Sequence, residues 1–88
     1  MPSITVGLPA PLTAPEPPRD FVCEAVTVAE ALRRIVEEAP RYEQRIFYGD
    51  RLLVVVTLNG RHLPPAGVGD TPLADGDRVD VLLPVAGG

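Results

Sequence analysis

A two-layer α+β fold, with one main helix packed on one face of a mixed sheet of four to five strands, is the architecture the sequence predicts. Three observations lead to it. Residues 4–8 and 78–83, near the two ends of the chain, alternate apolar and polar side chains with the period of a half-buried strand. One amphipathic helical stretch follows Thr27, and a β-branched run at residues 52–58 closes on Asn59-Gly60. The resulting order, β-β-α-β-β-β, supplies a single helix to cover one sheet face.

Each element has a local cause. Residues 4–8 form the first strand. Residues 9–20 hold Pro9, Pro11, Pro15, Pro17 and Pro18, which cannot donate to a ladder, so this stretch is expected to be a stiff connection without secondary structure. Residues 21–25 are expected to return antiparallel to the first strand. Thr27-Val28-Ala29-Glu30 fits a capping box, in which the Thr hydroxyl accepts the amide proton three residues on and Glu30 reaches back to the cap's own N–H. From there Val28, Leu32, Ile35 and Val36 make one apolar stripe, Glu30 and Arg34 are spaced for an i,i+4 pair, and Pro40 ends the helix. Residues 41–51 read as a loop or a short turn of helix. Asn-Gly tolerates positive φ at both centres of a type I′ turn, so a strand over 52–58 should turn at 59–60 and return over 61–63. Residues 64–70 read as loop, Leu73 as an isolated apolar anchor, and Asp75-Gly76-Asp77 as the turn into the last strand. The first and last strands are placed as central neighbours.

The composition narrows the function classes. At 88 residues the chain has one core's worth of apolar side chains; a chain of that size buries about 60–65% of its unfolded surface. Residues 1–83 are expected to make one domain and 84–88 a flexible tail. The net charge of −4 argues against nucleic acid and against an anionic membrane surface, and favours a protein partner. All 8 basic residues are arginines. No apolar run approaches the ~20 residues needed to span a bilayer, and the first residues lack the basic-then-apolar pattern of a leader, so a cytoplasmic location is expected. Cys23 is alone and lies in an alternating segment, which predicts a buried structural thiol.

Strand parity carries the argument toward function. If Val79 and Val81 face the helix, Asp80 and Leu82 face away, where no second helix exists to cover them. Leu82 is therefore expected to be exposed, and the opposite parity of residues 53–57 places Val55 on the same uncovered face. Aliphatic surface of this kind marks an interaction site. His62 has no second histidine or nearby cysteine and reads as a surface residue rather than a metal ligand. Asp75, Asp77 and Asp80 miss the spacing of a calcium loop and read as turn formers and a solvated strand face.

Several segments together resemble the MoaD/ThiS-type sulfur carriers, bacterial relatives of ubiquitin with the β-grasp fold. They are Thr27-Val28-x-Glu30-x-Leu32, Leu58-Asn59-Gly60, Pro72-Leu73-Ala74-Asp75-Gly76-Asp77-Arg78-Val79, and the closing Pro84-Val85-Ala86-Gly87-Gly88. An Arg-Glu pair common after the first strand of molybdopterin-type members is replaced by Leu8-Pro9-Ala10-Pro11-Leu12. With Gly67-Val68-Gly69, this stretch looks more like the actinobacterial carriers that deliver sulfur for cysteine synthesis.

The resemblance implies a protein that is not itself a catalyst and binds no cofactor of its own. An E1-like enzyme would use ATP to adenylate the carboxylate of Gly88, and a sulfur source would convert it to a thiocarboxylate. That group would then serve a sulfur-accepting biosynthetic enzyme making cysteine, molybdopterin, thiamin or another product. Gly87, Ala86 and Val85 would thread the partner's active site, where glycine removes the side chain that a narrow channel would reject. Leu82 and Val55 would belong to the partner-binding surface. Two other readings remain open: a ubiquitin-like modifier joined to lysines of other proteins, and a plain β-grasp interaction module.

Overall fold

Two strands from opposite ends of the chain lie side by side in the middle of the sheet. In the computed structural model, which describes residues 1–49 and 51–83, β1 (Ser3–Leu8) pairs in parallel with β7 (Arg78–Leu82), with Val6 opposite Val79 and Gly7 opposite Asp80. β2 (Arg19–Glu24) flanks β1 antiparallel, β5 (Val55–Leu58) flanks β7 antiparallel, and β6 (Arg61–His62) borders β5. The sheet is therefore mixed and five-stranded, in the order β2-β1-β7-β5-β6. One face is covered by α2 (Val28–Glu38), whose Val28, Ala31, Leu32 and Ile35 are buried with Ile4, Val6, Phe21, Val56, Val79 and Val81.

The helix begins as its sequence dictates. Thr27 accepts the amide proton of Glu30 through its hydroxyl. The return bond differs by one residue: Glu30 accepts from the N–H of Val26 at 2.9 Å, not from that of Thr27. Arg34 pairs at i,i+3 with Glu37 rather than with Glu30, which the cap already occupies. Leu73 is buried as the expected anchor, its N–H donating to Val26 O at 2.9 Å, so the loop before β7 is tied to the start of α2.

The Asp-Gly-Asp turn is a junction of three elements. Asp75 accepts the N–H of Ser3 at 2.8 Å, and Asp77 accepts the N–H of Ala74 at 2.8 Å and Nδ2 of Asn59 at 3.0 Å. Asn59 in turn accepts the N–H of Arg78 at 2.9 Å. These bonds hold the Asp77 carboxyl below the usual carboxylate range, the Ala74 N–H being the larger cause. Asn59 and Gly60 have φ of 52° and 84°, the positive pair a type I′ turn needs.

Three expectations are corrected. Residues 9–20 are not a featureless connection: α1 (Ala10–Thr13) forms one helical turn and buries Leu12 and Thr13. Pro9 and Pro11 permit it because first-turn positions need no intrahelical N–H. The run 52–58 is not one strand. β4 (Arg51–Leu52) pairs instead with β3 (Phe47–Tyr48), and the N–H of Leu53 donates to Ile46 O at 2.8 Å, so the run is divided between two sheets. A continuous apolar run has no alternation to reveal such a break. Cys23 is half-buried rather than buried, packing on the core from the edge strand.

Residues 40–46 form a 3-10 turn (Pro40–Tyr42) followed by α3 (Glu43–Ile46), and this pair clasps α1. Tyr42 is fully buried and its hydroxyl donates to Glu16, onto which the Arg41 guanidinium also forks at 2.8 and 3.0 Å. Arg45 donates to the carbonyls of Leu12 and Ala14 at 2.7 and 2.8 Å, taking up acceptors left open at the end of the short helix. Tyr42 first and Arg41 second hold the Glu16 carboxyl below its ordinary value.

Two outcomes follow from this packing. Leu12→Ala should cost about 2–5 kcal/mol in urea unfolding, the range of a fully buried leucine truncation; a cost near zero would return residues 9–20 to the status of a loose connection. Glu16 and Asp77 have folded-state values below their unfolded ones, so both stabilise above the ordinary carboxylate range and lose that contribution as pH falls through and below it. Urea midpoints should fall on acidification below about pH 4, with a shallower dependence in Tyr42→Phe.

Candidate functional site

Among the described residues no element covers the sheet face opposite α2, and its strands place a fixed set of side chains there. Registers put Val22 beside Thr5, and Asp20, Gly7, Asp80, Thr57 and His62 in one row across all five strands. Leu82 lies directly opposite Val55 one step further along. The sequence-predicted pair are thus cross-strand neighbours, with Leu82 40% exposed and Val55 half-buried. They sit at the end of β7 from which the chain continues through Leu83 into residues 84–88. Gly88, Gly87, Ala86 and Val85 lie outside the described residues.

Beside this aliphatic pair is an ionic cluster that sequence reading missed. Arg78 lies across Gly7 and forks between strands, with Nη2 donating to Asp20 Oδ1 at 3.1 Å, Nη1 to Asp20 Oδ2 at 3.3 Å and Nε to Asp80 Oδ2 at 3.1 Å. The Asp20 and Asp80 bonds raise the Arg78 guanidinium further above its ordinary value, Asp20 contributing more. Gly7 makes the crossing possible: a Cβ there would stand 2.4 Å from Asp80 Oδ1 and 2.6 Å from Arg78 Nη2. Asp80 is therefore an ion-pair member rather than only a solvated carboxylate, while Asp75 and Asp77 are turn formers. The signal was present as opposite charges at 20, 78 and 80, but it needed the β2–β1–β7 register to be read.

The two carboxylates and one guanidinium leave this cluster with one net negative charge. It lies against a groove walled by Leu8, Pro9, Pro18, Arg19 and Leu82, where the Arg19 guanidinium offsets that charge. Aliphatic surface and charge side by side on a flat sheet suit protein contact. Among the described residues no set of three His, Cys, Asp or Glu side chains is disposed to hold a metal. Burial pushes the Cys23 thiol up, away from the thiolate a nucleophile needs. No helix among the described residues is long and apolar enough to cross a membrane.

Gly7→Ala separates the two roles of that position. Alanine in a strand gains about 0.5–1 kcal/mol over glycine from the unfolded state, while displacing Arg78 sacrifices an exposed ion network of small worth. The melting midpoint should therefore move by at most about 8 °C, while the Arg78 Nε proton loses its protection from exchange. A preserved Nε signal would show that the guanidinium does not rest on Gly7.

Among curated proteins, no sequence matches the chain significantly. Solved structures do match. Small archaeal modifier protein 1 (SAMP1) from Methanosarcina acetivorans is 26% identical, with 100% of this chain and 98% of that one covered at a TM-score of 0.78. A chain of the complex of subunits 1 and 2 of molybdopterin-converting factor from Helicobacter pylori is 27% identical, with 98% and 99% covered and a TM-score of 0.63. A chain of the BexX/CysO complex from Amycolatopsis orientalis, at 23% identity, 97% and 99% coverage and a TM-score of 0.77, shares the fold. The sequence profile of the ThiS family matches residues 14–88. With that match spanning the helix, the Asp-Gly-Asp junction, β7 and the closing glycines, the chain belongs to the ThiS family, the ubiquitin-like β-grasp sulfur carriers of MoaD/ThiS type.

Proposed function

We propose that the chain carries sulfur as a thiocarboxylate on Gly88, with residues 1–83 as the handle and 84–88 as the arm. The observation that supports this most is that the family match runs through residue 88 and so includes the terminal Gly-Gly. A carboxylate is a poor electrophile, and activation gives it a leaving group. One carboxylate oxygen attacks the α-phosphorus of ATP and pyrophosphate departs. A sulfide-level sulfur nucleophile then attacks the acyl carbon, AMP leaves, and the thiocarboxylate remains. An E1-like enzyme holds the ATP, and a second, sulfur-accepting biosynthetic enzyme takes the product.

This chain's contribution is recognition and reach. Leu82 and Val55 give the partner an aliphatic contact at the root of the arm, and Val85, Ala86 and Gly87 present Gly88 in extended form. The molybdopterin-converting factor and BexX/CysO neighbours come from complexes of two proteins, which agrees with a carrier that works in contact with its enzymes. The likeness to SAMP1, named a modifier protein, favours a second reading in which the activated Gly88 is transferred to an amine of another protein.

Incubation with ATP, sulfide and a family activating enzyme should shift the intact mass by replacement of one oxygen with sulfur, and deletion of Gly88 should abolish the shift. An unchanged mass, with the same enzyme active on another carrier, counts against the carrier reading. Isopeptide-linked Gly-Gly remnants on cellular proteins would support the modifier role.

A further inference from the structure

The outer edge of β5 is only half covered. β6 pairs through Arg61 and His62, and the N–H of Leu63 donates to Val56 O at 3.0 Å. Pro64 and Pro65 have no N–H, so the ladder cannot continue past Leu63 toward Val54. The space the strand would have filled is a groove of about 680 Å³, floored by the buried Val54, Val56 and Val68 and walled by Leu52, Leu63 and Pro64. Its rim carries Arg51 and His62, and among the described residues no carboxylate lines it, in a chain whose net charge is −4.

We propose that this groove docks an extended acidic-aliphatic segment of the protein that receives the tail. The segment lies along β5 as a short added strand, an aliphatic side chain resting on Val54, Leu63 and Val68 and a carboxylate meeting Arg51 and His62. The identity of the partner rests on the carrier reading; the chemistry of the segment does not. Shape supports it, since a vacated strand position accepts an extended backbone at ordinary strand spacing. Charge supports it as well: Arg51 on the rim attracts carboxylates, while the groove across the Leu82–Val55 pair sets Asp20 and Asp80 against Arg78 and Arg19 and has no excess of positive charge to compete for them. Continuity is the third argument. Val55 lines the groove and pairs with Leu82 at the end of β7, so a protein holding the tail at its root spans both.

The test is an amide-shift titration of the ¹⁵N-labelled full chain with the capped peptide Asp-Ile-Val-Glu, and with the same peptide carrying Arg in place of both acids. Shifts should concentrate at residues 52–56, 62 and 63, and the acidic peptide should bind at least about tenfold tighter, the scale of one charge-assisted contact. Arg51→Glu, an exposed change whose amide spectrum reports whether the fold is kept, should erase that preference. The proposal is overturned by shifts confined to other surfaces, by equal binding of the two peptides, or by a preference that survives Arg51→Glu. Concentration-dependent dimerisation in light scattering, with shifts at these same residues in the absence of peptide, overturns it in favour of a second copy as the occupant. Gly88 takes no part in the titration, so failure here leaves thiocarboxylate formation untouched, and failure of thiocarboxylate formation leaves the groove's preference standing.

Discussion

The parallel pairing of β1 with β7 is the constraint on which the rest of the molecule depends. It joins strands more than seventy residues apart in sequence, and the chain between them must supply both flanking strands and the helix that closes one face. The core follows: Val6 and Val79 meet beneath α2, and Gly7 and Asp80 meet on the opposite side. At the start of the pair, Asp75 holds Ser3 and Asp77 with Asn59 locks the hairpin to Arg78, whereas at the far end the chain runs on from Leu83 toward the glycines.

Among the described residues, the side-chain bonds to β7 fall on Arg78 and Asp80, while main-chain pairing with β5 runs on to Leu82 opposite Val55. The Arg78 cluster adds a tie across β2, β1 and β7 on the open face, beside the Leu82–Val55 pair. Gly7 is the common element: a residue with no side chain in a central strand lets a guanidinium lie where a Cβ would stand.

The clasp of residues 40–46 on α1 shows how an unpromising sequence becomes part of the core. Proline-rich segments are ordinarily left at the surface, yet Leu12 and Thr13 are buried because Arg45 takes up the carbonyls of Leu12 and Ala14 and Tyr42 anchors Glu16. The same segment supplies Pro9 and Pro18 as walls beside the Gly7 groove, so it shapes the open face from its flank. Prolines recur on the other flank, where Pro64 and Pro65 end β6 early, so that it pairs with only part of the outer edge of β5.

Much of this was legible from the residues alone. The capping box at Thr27, the stripe from Val28 to Ile35, the Asn59-Gly60 turn and the parity of Val79 to Leu82 are local rules, each decided by neighbours a few positions away, while the resemblance to the β-grasp carriers lay in the motifs at Thr27–Leu32, Leu58–Gly60, Pro72–Val79 and the closing Pro84–Gly88. Tertiary structure alone decided where the run at 52–58 divides, that the segment after β1 folds into the core, and that Asp20, Arg78 and Asp80 converge on Gly7. Those outcomes depend on register and on contacts between distant segments, and neither leaves a periodic trace in the amino-acid order.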